Sequence, residues 1–170
     1  MTIMDSNTQP GPVGRAVHSL SRLFALAGGV TLLGMALMTV VSVIGRYLFS
    51  LPVPGDFELV EVACAITVFA FLPYCQLHNG NVVVDFFTMN VGTKTRNRMD
   101  SVGSFVFGMI SALLTWRLAL GGYDMYQYEE QTMILGLSRW WGFIPIVASL
   151  ALLTVVCFYT ASRQWSNRSI

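Results

Sequence analysis

Four long apolar runs constrain this chain more than any other feature of it. They are Leu23 to Ile44, about Phe57 to Leu77, about Ser101 to Tyr123, and Trp140 to Ser162. A helix of about 20 apolar residues crosses the roughly 30 Å hydrocarbon layer of a bilayer. The first and last runs carry no charge. The second holds its acids, Glu58 and Glu61, in its opening turns, which sets them at headgroup level. The third carries only Arg117. Leu, Val, Ala and Phe run on without alternation, which argues for helices and against an outer-membrane barrel. The charged share of the chain is 11%, against about 25% in a soluble domain. The expected fold is therefore all-α, an integral membrane protein of four helices. One membrane domain is expected over residues 21–163, with a flexible tail over 1–20 and a short tail over 164–170.

Orientation follows from the basic residues, which favour the cytoplasmic side. Arg15 and Arg22, then Lys94, Arg96 and Arg98, then Arg163 and Arg168 fall on one side of a four-span chain. Arg46 and Arg139 fall on the other, with Arg117 just inside the third span. Both termini are thus expected in the cytoplasm. Asp56, Glu58, Glu61, Asp124, Glu129 and Glu130 are expected outside. The first run is too long for a signal-peptide core and no small-x-small cleavage site follows it, so it reads as a retained anchor. Tyr123, Tyr126, Tyr128, Trp140 and Trp141 mark the outer headgroup level. Between spans two and three, Val83, Phe86, Phe87 and Asn90 share one helical face. That pattern suits a segment lying flat on the cytoplasmic surface. Thr93 or Thr95 is placed to cap span three. Pro145 falls in the tolerant first turns of its helix, and Pro73 is expected to kink span two.

Chemistry-bearing residues are few. Cys64, Cys75 and Cys157 all fall in spans, where they are expected to be small, buried packing residues. His18 and His78 lie outside the spans, so the bundle has no histidine to ligate haem. There is no CxxC pair, HExxH, P-loop or GxSxG elbow. No catalytic residue, metal site or cofactor is expected, nor a nucleic-acid partner; the chain does not read as an enzyme. Glu58 and Glu61, three apart, share a helix face. Arg46 ends span one on the same side, and Arg117 is long enough to snorkel there. The expected cluster is Arg46 and Arg117 with Glu58 and Glu61, which holds spans one to three together, meets a partner subunit or an external protein, or, least favoured with so little buried polarity, forms a transport site. The spans lack the repeats and broken helices from which secondary transporters build a substrate site. By elimination the chain reads as an accessory subunit.

Three strings also resemble a known family. Gly45-Arg46-Tyr47-Leu48-Phe49 is followed by Pro52-Val53-Pro54-Gly55-Asp56-Phe57-Glu58-Leu59. Span two ends in Leu77-His78-Asn79-Gly80-Asn81-Val82-Val83-Val84-Asp85, and span four opens Trp140-Trp141-Gly142-Phe143-Ile144-Pro145. Over about residues 20 to 160 these are similar, in order and spacing, to the small membrane subunit (the DctQ-type, small permease component) of tripartite ATP-independent periplasmic (TRAP) transporters. Asn81 departs from the pattern, since many members carry His or another polar residue there. The resemblance implies a four-span subunit of a bacterial or archaeal inner membrane. It implies a large permease partner that carries substrate and sodium ions, and a periplasmic binding protein that delivers a carboxylate-type substrate. The small subunit would brace the large one and contribute to the binding protein's docking surface. Arg46, Pro52, Gly55, Glu58 and Glu61 would form an outer structural cluster. His78, Gly80 and Asp85 would shape the cytoplasmic turn and interfacial segment.

Two other classes fit four apolar spans. A quinone-linked anchor subunit of a redox enzyme would need bundle ligands that the sequence lacks. A small homo-oligomeric channel or efflux protein would need a polar helix face. Thr31, Thr39 and Ser42 in span one are too sparse to make one.

Overall fold

A computed structural model describes residues 12–49, 54–78 and 93–166. Among them are four helices: α1 (Pro12–Phe49), α2 (Asp56–Leu77), α3 (Thr93–Gln127) and α4 (Trp140–Ser166). Each is long and apolar enough to cross a membrane. The described residues contain no strand, only an isolated antiparallel bridge between Gln131 and Ser138. The four expected spans are therefore all present as helices.

Three helices outrun their apolar segments, α4 by only four residues, to Ser166. α1 has 38 residues and is about 57 Å long at 1.5 Å per residue. It starts at Pro12, so it takes up residues 12–20 that the sequence assigns to a tail. Proline suits a first helical position, where its missing N–H costs nothing. α3 starts at Thr93, which puts Lys94, Arg96 and Arg98 on a helix rather than in a loop. Helix α2 runs on through the buried Pro73 to Leu77. The flat segment expected at Val83 to Asn90, with Gly80 and Asp85, lies outside the described residues, and so does Pro52.

The helices form an open row in the spatial order α1, α2, α4, α3, each packed on its neighbours in that order. α2 and α4 are parallel, since Val62 near the start of one meets Gly142 near the start of the other. The central core lies on α4, where Ile146, Leu150, Leu153 and Cys157 are buried against Ala65, Ile66, Phe69 and Leu72 of α2 and Phe107 and Leu118 of α3. The first turns of α1 also reach α4, where Val17 packs on Leu152 and Val156. A third of the apolar window of α4 (33%) is buried but only 6% of that of α1. α4 is thus the spine of the row, and α1 lies at its edge.

Small residues let these apolar helices approach, as lipid-embedded packing requires. A Cβ on Gly28 would stand 3.0 Å from the Ala70 Cβ, so α1 and α2 touch backbone to backbone there. On the far side Gly108 lies against the Cys157 Cβ. One turn along, the Ser111 and Thr154 hydroxyls share a hydrogen bond of 2.9 Å. Gln76 Nε2 donates to Ser104 Oγ at 3.5 Å, linking α2 to α3. Other hydroxyls return to their own helix: Thr31 donates to the Ala27 carbonyl and Thr39 to that of Met35. They satisfy themselves and leave α1 no polar face.

Candidate functional site

Two connections meet at one end of the row, the α1–α2 turn and the α3–α4 loop. The turn is set by Gly55, which has φ 76°, a left-handed conformation that costs any residue with a Cβ. Gly55 also lies beneath Leu135 of the loop. A Cβ there would come within 3.0 Å of Leu135 Cγ and both of its Cδ atoms. Glycine is therefore required twice, by backbone and by space.

Asp56 opens α2, where a negative charge meets the positive end of the helix dipole. Its Oδ1 accepts the Phe57 N–H at 2.9 Å. Its Oδ2 accepts the Ser42 hydroxyl at 2.6 Å and lies 3.6 Å from the Arg46 guanidinium. Both Ser42 and Arg46 belong to the last turns of α1, so Asp56 ties the two helices across their turn.

Glu58 faces the other way. Its Oε1 accepts the Ile134 N–H at 2.9 Å and its Oε2 the Leu135 N–H at 3.2 Å. The loop it holds is already folded on itself. Thr132 N–H donates to the Leu137 carbonyl (2.9 Å), Gly136 N–H to that of Thr132 (3.2 Å), and Arg139 N–H to that of Glu130 (3.0 Å). Leu137 N–H donates to the Thr132 hydroxyl at 3.1 Å, and Gly136 at φ 63° makes the reversal. Two further amides at the tip, those of Ile134 and Leu135, are the ones that Glu58 accepts. Charged acceptors make the stronger kind of hydrogen bond.

The expected cluster of Arg46 and Arg117 with Glu58 and Glu61 thus takes a different form. Arg46 pairs with Asp56, the ion pair among the described residues. Glu58 serves backbone amides. Arg117 is exposed on α3. Glu61 is exposed on α2 and lines a groove with Arg139. The sequence reading missed Asp56, Ser42 and the loop amides as the partners. A signal existed for Asp56: it is the first acid past a glycine turn that brings the ends of α1 and α2 together. None existed for the Glu58 contact, whose partners are backbone groups more than seventy residues away.

The groove at this end runs between the starts of α2 and α4 under the loop. Its larger part, about 570 Å³, is lined by Leu59, Val62, Leu135, Leu137 and Trp141 with Glu58 and Arg139. An adjoining part of about 260 Å³ includes Glu61, Ala65, Met125, Phe143 and Ile146.

At the opposite end His78 closes α2. Its backbone N–H donates to the Tyr74 carbonyl at 3.3 Å. Its Nδ1 lies 3.0 Å from the same oxygen; a carbonyl only accepts, so this nitrogen carries the proton. The ring packs on Tyr74 at 4.3 Å and edge-on to His18 of α1 at 5.6 Å. Sequence spacing does not signal that the chain's two histidines meet.

Fold and junction define a multi-pass membrane protein made of helical hairpins, whose charged groups at the junction fasten its connections. The family model for tripartite ATP-independent periplasmic transporters, DctQ component, matches residues 35–167. The chain belongs to that family, the small membrane component of TRAP transporters. The match starts within α1 and takes in the whole junction. No curated protein and no solved structure matches the chain.

Proposed function

We propose that this chain is the non-catalytic small subunit of a TRAP-type secondary transporter and braces the large, ion-coupled permease subunit. In this reading the permease moves a carboxylate-type substrate by symport, after a periplasmic binding protein delivers it. Family membership supports the assignment to such a system. The openness of the helix row carries the bracing role. An open row encloses no hydrophilic path, and it leaves Leu23, Leu26, Val30, Leu33 and Leu37 of α1 exposed for lipid or a partner helix. The distribution of Lys and Arg supports an inner-membrane orientation with both termini in the cytoplasm. The junction then faces the periplasm. Arg46, Gly55 and Glu58 act there as structural residues, and the exposed Arg117 is available to the permease. His78 serves the cytoplasmic end.

Co-purification tests this. The tagged chain, extracted in mild detergent from its native host, is expected to bring down a multi-span permease at about equimolar ratio, identified by mass spectrometry. A chain recovered alone or as a homo-oligomer, and transporting by itself in liposomes, would overturn the proposal.

A further inference from the structure

The groove at the junction carries two opposite charges that nothing described neutralises. Glu61 and Arg139 are both exposed, both line it, and neither is in an ion pair among the described residues. Glu58, beside them, is already occupied by the Ile134 and Leu135 amides. Below the charges the walls turn apolar, through Val62 and Ala65 of α2 and Phe143 and Ile146 of α4. From Glu58 to Ala65 this is about 10 Å of descent along the helix. At the same end Tyr126 meets Trp140 edge-on and Trp140 lies tilted against Trp141, and such aromatic groups favour the headgroup level of a bilayer.

We propose that this groove binds one phospholipid with a primary amine in its headgroup, the ammonium at Glu61 and the phosphate at Arg139, with an acyl chain along the α2–α4 seam. Three features select this occupant. Its headgroup is a zwitterion, matching one free anion and one free cation. A purely anionic headgroup would satisfy Arg139 but face Glu58 and Glu61, and a quaternary amine has no N–H for a carboxylate. The groove's parts, about 570 and 260 Å³, are of small-molecule size. A partner helix, about 10–12 Å across with its side chains, is too wide for a seam whose walls already meet at Val62 and Gly142. The inference rests on the chain being in a membrane and not on its role in transport.

Native mass spectrometry of the full-length chain tests it, with dioleoyl phosphatidylethanolamine, phosphatidylcholine and phosphatidylglycerol added in turn. The expected result is one retained phosphatidylethanolamine, favoured over the other two by about tenfold, the scale of one charged hydrogen bond. Glu61→Gln should bring phosphatidylethanolamine down to the level of phosphatidylcholine. Arg139→Gln should weaken all three, since all three carry the phosphate. Val62→Trp, which fills the groove and leaves the charges, should also weaken all three. Glu61 is exposed, so its variant is expected to keep the parent's helicity by circular dichroism. Equal retention of the three lipids by the parent chain would overturn the proposal. So would a preference for phosphatidylglycerol, or a Glu61→Gln variant with unchanged selectivity.

Discussion

Gly55 concentrates more constraint than any other residue of the junction. Its φ of 76° and the Leu135 side chain above it are separate demands. Gly55→Ala should therefore cost about 3 kcal/mol, of which roughly 1–2 is backbone strain and the rest steric. Denaturation of the purified chain, followed by helicity, checks the total. Repeating the change in a Leu135→Ala background should remove the steric part and leave the strain, a split that a double-mutant cycle reads directly. The same residue shows what a sequence can tell. A glycine after Pro-Val-Pro and before an acid suits a turn, but only the family resemblance pointed to Gly55 at this end. That Leu135 closes over it was not legible, because contact across eighty residues leaves no periodicity to read. Asp56 and Glu58 were visible as charge at a helix start. Their division of labour depends on the rotation of α2, which two positions alone do not define.

Among the elements, the helices were the most legible part and their ends the least. Apolar runs report the portion of a helix that meets lipid. α1 and α3 continue into polar sequence at Pro12 and Thr93, where helicity no longer requires hydrophobicity, so hydropathy stops short of them. The α3–α4 pair is closed by Gly108 against Cys157 and by the Ser111–Thr154 bond. An interhelical bond of this kind contributes only about 0.6 kcal/mol on average in a membrane; the close packing matters more. Gly108→Val should cost about 2 kcal/mol through overpacking, against about 0.6 for Thr154→Val. Paired unfolding measurements in one detergent decide between them. A loss from Thr154→Val larger than that from Gly108→Val would mean that the hydroxyl bond, not the backbone approach, holds the pair.

At the scale of the molecule, the row has an order that sequence could not supply, because four apolar helices of similar composition carry no label for their neighbours. α2 beside α4, with α1 and α3 on the outside, is a testable arrangement. In a chain with Cys64, Cys75 and Cys157 changed to Ser, Val62→Cys and Gly142→Cys should crosslink readily in membranes. Thr39→Cys and Leu114→Cys, on the two outer helices, should not. The reverse pattern would replace the row with a closed bundle.

A loop pinned at consecutive amides behaves mechanically as part of whatever pins it. The tip of the α3–α4 loop presents Met133 almost bare, at 98% exposure, with Ile134 exposed beside it, and directly behind them stand the two oxygens of Glu58. Load applied at that tip has little slack to take up. It passes through the carboxylate into α2, from α2 into α1 where Gly28 meets Ala70, and into α4 through Ala65 and Ile66. The tip is thus a stiff handle on the two inner helices, and displacing it means tilting them.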